Sequence, residues 1–286
     1  MSEHVSPTLR RRRLGRQVRE RRIELNLSGA ELARQIGKIN QSRLSKIEIG
    51  KARMTEVQLR KVIEILQPSP EQAEEWRELW RQGDQLGWWA EFADVIEENG
   101  GMLVGLEADA AHVRQYIEAF VPSMLVTEEY TRAVVYASQS ARPTDMGRIV
   151  EFRLERQRRL DDPNFRYTAV IAEGALHRHV GGRDAMARQL RHLLDAQWEA
   201  TVEVLVVPFE AGNYAAQGMA FEIMRFANPE DPECVFVDSW PSAAVFLEKP
   251  SEQRYYSNLY SVAASKALDV ERSRERIEQI WATMSL

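Results

Sequence analysis

The stretch Gln41-Ser42-Arg43-Leu44-Ser45-Lys46 concentrates side chains that can read base edges or hold phosphates. Gln suits adenine or a phosphate, and Arg and Lys suit guanine or a phosphate. If the segment is helical with Leu44 and Ile47 pinned inward, Gln41, Ser42, Ser45 and Lys46 fall on the opposite face, with Arg43 alongside. A second basic set flanks them: Arg10, Arg11, Arg12, Arg13 and Arg16 before, Lys51 and Arg53 after. The Arg10-to-Arg13 run fits two uses, a solvated arm or contact with phosphates or a minor groove. Together these residues are the candidate DNA-binding set.

Other chemistry is sparse. His4, His112, His177, His179 and His192 are the histidines. Glu173, His177 and His179 lie close in sequence, but no H-E-x-x-H or second ligand cluster accompanies them. No G-x-S-x-G, P-loop or G-x-G-x-x-G occurs. The single cysteine, Cys234, stands in the apolar run Cys234-Val235-Phe236-Val237 and reads as a buried small residue. The expectation is a protein that is not an enzyme, with no catalytic residue, no metal and no cofactor.

The elements that must position the basic residues follow from caps and periodicity. A first helix is expected over 9–25, with Leu14, Val18 and Leu25 on one stripe. Ser28 and Glu31 form a capping box for a second helix over 29–36, stopped by Gly37. Asn40 caps a third over 41–49, ended by Gly50. A fourth covers 55–66. Ser69-Pro70-Glu71-Gln72 is a further capping box and opens a fifth that fades at Gly83. Ala33 is the small residue where helix two crosses helix three, and Leu32, Ile36, Leu44 and Ile47 are the anchors.

Beyond Gly83 the pattern is mixed. Helices are expected over 85–98 (stopping at Gly100-Gly101), 105–119, 127–139, 144–160, 184–199 and 251–283, the last broken near Asp269. Strands are expected over 167–172, 202–208, 220–226, 235–238 and 245–247. Turn signals at 210–213 and 228–232 favour hairpins between consecutive strands. Trp76, Trp80, Trp88 and Trp89 are expected to pack a junction between two parts, or to form an aromatic cage. Arg148, Arg153, Arg156, Arg158 and Arg159, interleaved with Glu151 and Glu155, suggest a salt-bridged exposed face with a Glu155–Arg159 pair, or an anion or partner surface.

Charge divides the chain the same way. Residues 1–66 carry 16 Lys and Arg against 7 Asp and Glu, a balance of +9; the remaining 220 carry 22 against 36, a balance of −14. A basic end on an acidic body is the footprint of a polyanion-binding head. The 44% apolar content is that of a globular protein of one large or two ordinary domains. No signal peptide is read at the N-terminus, and no window approaches ~18 uninterrupted apolar residues, so a cytoplasmic setting is expected.

The run 41–50 closely resembles the recognition helix of the Cro/repressor-type (XRE) helix-turn-helix family, with its Q-S-x-hydrophobic-S-R/K-I-E-x-G pattern. The resemblance implies an ion pair between that Glu and an Arg of helix one, here Glu48 and Arg22. Two positions depart from the family: Gly29 stands where a Gln usually touches a phosphate, and the turn 37–40 is one residue longer. Further along, Gly105-Leu106-Glu107-Ala108-Asp109-Ala110, the run 121–133, Arg156-Gln157-Arg158-Arg159-Leu160 and Val207-Pro208-Phe209-Glu210-Ala211-Gly212 resemble the actinobacterial WhiJ-like regulators. Ser123 and Val126 replace that family's usual Gly and Gln. The likeness implies transcriptional regulation, often with a small partner protein encoded by a neighbouring gene. It supplies no ligand and no catalytic site.

The expected fold is α+β: an all-α, five-helix head over 1–83, then a domain over 84–286 of helices with a small, mainly antiparallel sheet. The expected partners are double-stranded DNA, a second copy of the chain, and a small protein or ligand received by the second domain. A homodimer is favoured because dimers read half-sites roughly 34–36 Å apart. An antitoxin-like protein that neutralises a small partner and autoregulates its operon is the alternative reading.

Overall fold

Ser6, Ser28, Asn40, Thr55 and Ser69 each accept a hydrogen bond from the backbone N–H three residues on, and each opens a helix. The computed structural model describes residues 6–83, 87–96, 100–138, 142–196, 201–237, 245–247 and 249–284. The helices so opened are α1 (Pro7–Glu24), α2 (Gly29–Ile36), α3 (Gln41–Glu48), α4 (Glu56–Leu66) and α5 (Pro70–Gln82). The capping box expected at Ser28 forms in full, and Thr55 forms another with Gln58. The chain divides into two compact units, residues 1–91 with 101–109 and residues 92–100 with 110–286.

The first unit buries Leu14, Val18, Leu32, Ile36, Leu44 and Ile47 in one core with the fully buried Trp76. Trp80 packs against the same core, and its indole N–H donates to the Met54 carbonyl at 2.8 Å. Trp76 and Trp80 therefore serve the interior of this unit rather than a junction. Trp88 and Trp89 meet edge to face, with centroids 6.1 Å apart, in a 3-10 turn at Trp88–Phe92. Of the helix expected over 85–98, the described residues 87–96 form only this 3-10 turn, followed by turn and bend over 93–96; residues 84–86 and 97–99 lie outside the described residues. The Gly100-Gly101 pair opens α6 (Gly100–Glu107) instead of stopping a helix.

The second unit is built on a six-stranded mixed sheet in the order β3-β2-β1-β4-β5-β6. The strands are β1 (Ala110–Ile117), β2 (Arg166–Ala172), β3 (Val202–Val207), β4 (Ala220–Phe226), β5 (Cys234–Val237) and β6 (Val245–Leu247). β1, β2 and β3 pair in parallel; β4, β5 and β6 join by antiparallel pairs. The helices are α7 (Glu128–Ser138), α8 (Met146–Gln157), α9 (Glu173–His177), α10 (Arg183–Ala196), α11 (Pro250–Lys266) and α12 (Val270–Met284). Among the described residues no helix is long and apolar enough to cross a membrane.

Two expectations are corrected here. The helix expected over 105–119 is the end of α6 followed by β1, a central strand. Ala110-Ala111 favours a helix locally, but Val113, Tyr116 and Ile117 become buried once β2 and β4 pair on either side. No β3–β4 hairpin forms, because β2 and β1 lie between those strands. The connection over 208–219 instead straps the carboxyl ends of β2 and β1. Phe209 N–H donates to Glu173 Oε2 at 2.9 Å, Tyr214 and Tyr116 share a hydroxyl hydrogen bond of 2.8 Å, and Gly218 N–H donates to Glu118. The β4–β5 connection is a hairpin, as expected. At the β3 edge Ser273 Oγ accepts from Val206 N–H and Leu268 N–H donates to the Val206 carbonyl, both at 2.9 Å, so this edge is not left as a pairing template.

The arginine-rich α8 is not uniformly exposed. Arg156 is buried, donates to Ser123 Oγ at 2.8 Å and lies 3.5 Å from Glu222. Glu222 also accepts from Gln115, which in turn accepts from Tyr167 Oη. Glu155 pairs with Arg158 rather than Arg159, which instead meets Asp162 and the Ala110 carbonyl. Ser123, a departure from the WhiJ-like pattern, is thus the acceptor for a buried guanidinium. The neighbouring segment is held from both sides: Gln157 Nε2 donates to the Val126 carbonyl, and Gln189 Nε2 donates to that of Leu125.

Two groups make the second unit acid-sensitive. Burial, helped by Arg114, Arg225 and Arg166, pushes His112 down to about 4. Burial alone would raise Glu173, but the Phe209 N–H, Arg276 and His177 outweigh it and hold the carboxyl below its usual range. In both cases the unfolded chain takes up the proton first, so stability falls as pH falls. For His112 the loss runs from about 6.5 down to about 4. For Glu173 it continues through and below the ordinary glutamate value of 4.5. Denaturant melts of the full chain from neutral to acid pH are expected to show this decline, and Glu173→Gln to flatten its lower part. An unchanged acid limb in that variant would exclude the role given to Glu173.

Candidate nucleic-acid interface

The geometry of α3 begins with its buried side. Leu44 and Ile47 are 1% and 2% exposed, and Glu48 is buried beside them. Gln41, Ser42, Arg43, Ser45 and Lys46 are all exposed. Helical spacing puts the two sets on opposite sides, so five polar side chains of an eight-residue helix are open to a partner.

What holds α3 in place is its crossing with α1. A Cβ on Gly15 would lie 2.3 Å from the Ile47 carbonyl oxygen and 2.6 Å from that of Glu48, so only glycine lets the two backbones approach this closely. Gly50, at φ +74°, makes the matching approach, with an added Cβ 2.8 Å from Arg12 Cα. Farther along α1, Arg22 grips Glu48 bidentately, Nε to Oε1 at 2.7 Å and Nη2 to Oε2 at 3.0 Å. Its Nη1 donates to the Leu27 carbonyl at 2.7 Å. One guanidinium therefore ties α1, α3 and the turn before α2, and the pair implied by the XRE likeness is present.

The turn between α2 and α3 carries its extra residue in a left-handed stretch, with Gly37 at φ 74° and Lys38 at φ 57°. Lys61 of α4 closes the end of α2 by donating to the Ile36 carbonyl at 2.7 Å. At the other end of α2, Gly29 leaves a cleft of about 210 Å³ bordered by Arg19, Gln41 and Ser45. The Gln41 side chain leans toward it, its Cγ 3.7 Å from where a Cβ on residue 29 would sit.

The flanking arginines are placed unevenly. The helix begins at Pro7, so the Arg10-to-Arg13 run is a turn of α1 and not an arm. Arg10 and Arg12 are buried, at 8% and 4% exposure, while Arg11, Arg13 and Arg16 are half-buried. Neither a solvated nor a phosphate-tracking role fits the two buried members. The Arg pattern alone could not reveal this, because burial depends on distant chain, as where Gly50 returns against Arg12. Lys51 is exposed in the loop after α3. Arg53 lies over the Trp80 ring at 5.2 Å, and its carbonyl accepts from Arg43 Nη2 at 3.4 Å. Trp80 thus holds the loop carrying Lys51 and Arg53, a positioning role that helical spacing could not show.

A sequence model of a helix-turn-helix domain matches residues 13–76, and one of a domain of unknown function, DUF5753, matches residues 101–279. The first match spans α2, α3 and α4 with most of α1 and about half of α5. No curated protein and no solved structure matches the chain.

Two substitutions test what holds α3. Glu48→Gln leaves Arg22 without its anionic partner in a largely buried site, and breaking such a pair costs about 3–5 kcal/mol. Gly15→Ala forces the α1 and α3 backbones apart, at about 1–3 kcal/mol or more. Each is expected to lower the melting transition of the first unit by about 5 °C or more, followed by calorimetry of the full chain. A Gly15→Ala protein that melts with the wild type would mean that the crossing is not limiting.

Proposed function

We propose that this chain, which belongs to the family defined by the domain of unknown function DUF5753 and carries a helix-turn-helix domain ahead of it, is a sequence-specific DNA-binding transcriptional regulator. The observation that carries this reading is the division of α3: Leu44, Ile47 and Glu48 are committed to the interior, and Gln41, Ser42, Arg43, Ser45 and Lys46 stand clear. In this reading the recognition helix is of the XRE type. Arg43 and Gln41 contact base edges, and Ser42, Ser45 and Lys46 contact bases or phosphates. Arg11, Arg13, Arg16, Lys51 and Arg53 contact phosphates, while Arg10 and Arg12 support α1. With Gly29 offering no side chain, the phosphate at the start of α2 is met by main-chain N–H alone.

Residues 1–83 are the proposed DNA-binding part and 84–286 the proposed controlling part, WhiJ-like in character and answering to a small partner protein or ligand. The setting is cytoplasmic and the working species a homodimer, since one helix-turn-helix buries little surface and a pair reads two half-sites. The charge balance of −14 beyond residue 66 supports a division of labour in which that part avoids DNA.

Selection of bound duplexes from a random pool, followed by footprinting, tests the reading. Gln41→Ala and Arg43→Ala are each expected to lower the preference for the selected site over random DNA by about 1–3 kcal/mol. Lys51→Ala is expected to weaken binding to all sequences and to reduce the slope of log K against log salt by about one unit. A protein that enriches no sequence, or whose α3 variants keep full preference, would overturn the assignment.

A further inference from the structure

A cleft of about 500 Å³ runs between α10 and α12 in the second unit, and its lining includes none of the residues proposed to touch DNA. α10 sends Arg183, Arg188 and Arg191 into its lining, with Ala187 as a small floor residue; α12 sends Trp281 and Met284. Spacings of three and four residues, 183/187/191 and 184/188/191, keep the α10 set along one side of that helix.

The arginines are held, but each by only part of its donor set. Arg183 donates through Nε to the Met284 carbonyl at 2.9 Å and through Nη2 to that of Thr283 at 2.6 Å, closing the end of α12. Arg188 is held through Nε by Glu129 at 2.7 Å, and Arg191 through Nε by Asp195 at 3.2 Å. A guanidinium has five N–H donors. Among the described residues the Nη groups of Arg188 and Arg191 do not pair with those carboxylates, and the two side chains are 59% and 58% exposed. Asp184 is the one acidic residue in the lining.

We infer that this cleft docks an acidic protein segment bearing an apolar side chain. The segment's carboxylates meet Arg188 and Arg191, and its apolar group lies on Ala187, Trp281 and Met284. Planar guanidinium forks match carboxylates, and an aromatic floor flanked by arginine is the composition of interface anchors. DNA is the less suitable occupant, because its phosphates gain nothing from the apolar side chains of Ala187, Trp281 and Met284. The inference rests on the proposal that the second part receives a partner, and it names that partner's chemistry.

The test uses the full chain and a fluorescein-labelled peptide of alternating Glu and Leu, with a Lys/Leu peptide as control, read by fluorescence anisotropy. The Glu/Leu peptide is expected to bind, and Arg188→Ala/Arg191→Ala to raise its Kd about tenfold. Both residues are exposed, so the melting transition of that variant should not move; Trp281→Ala should also weaken binding. Equal binding of the two peptides, or an unchanged Kd in the double variant, overturns the inference. Duplex DNA is titrated in parallel. The double variant is expected to bind it as the wild type does, and a loss there would make the cleft a phosphate surface and overturn the inference. If the wild type itself binds no duplex, the regulator reading fails while the peptide arm still judges the cleft.

Discussion

The first unit depends on one crossing, that of α1 over the end of α3. Backbone meets backbone at Gly15, where no Cβ fits beneath the Ile47 and Glu48 carbonyls, and a few turns on Arg22 closes on Glu48 with both ends of its fork. The contacts are complementary. Steric fit sets how near the helices come, but permits sliding along their axes. The ion pair fixes the slide, because a bidentate guanidinium–carboxylate contact tolerates little displacement. Leu44 and Ile47 then set the rotation of α3 about its own axis, since both must reach the core. With approach, slide and rotation fixed, the direction of the exposed side chains follows. The third donor of Arg22, on the Leu27 carbonyl, extends the restraint to the turn that starts α2.

In the second unit the comparable constraint is the parallel core of β1, β2 and β3. Parallel pairing needs crossovers, which take up α7 to α10, and it leaves the strand ends to be tied by other means. The strap over 208–219 does this with side-chain partners placed just past or at each strand end: Glu173 after β2, Tyr116 and Glu118 at the end of β1. Glu173 carries the most, since it also accepts from Arg276, which in turn reaches Glu210 within the strap. The buried set of Arg156, Glu222, Gln115 and Tyr167 is a second polar knot, and it joins α8 to three strands.

Local signals were legible where a residue acts on its own neighbours. Ser28, Asn40, Thr55 and Ser69 cap helices through contacts three residues away, and the helix starts expected at 29, 41 and 70 match the observed ones. The strands at 166–172, 202–207 and 220–226 were legible as apolar, β-branched runs. What could not be read depends on distant chain. Ala110-Ala111-His112 looks helical until β2 and β4 supply partners. Gly15 looks like a defect inside a helix until Ile47 and Glu48 arrive above it. Arg12 looks like surface charge until Gly50 packs on α1. The α3 residues were legible because their periodicity is local, and the Arg22–Glu48 pair because a resemblance supplied it. Trp80 was misplaced because its indole acts through the Met54 carbonyl, 26 residues away.

The division of labour within α3 bears on how freely its exposed surface can change. Of eight residues, Leu44, Ile47 and Glu48 have inward duties that the crossing requires. The other five make almost no contact that the fold needs; among the described residues their one side-chain hydrogen bond is the long one from Arg43 to the Arg53 carbonyl. Exposed substitutions away from such features usually shift stability by less than about 0.5 kcal/mol. Residues 41, 42, 43, 45 and 46 are therefore open to replacement with little effect on the unit that carries them. Gly29 adds to this: without a side chain at the start of α2, Gln41 borders an open cleft and is not pinned by a neighbour. The residues that hold α3 and the residues it exposes are thus different members of one short helix, so the exposed surface can vary while the crossing that sets its direction stays fixed.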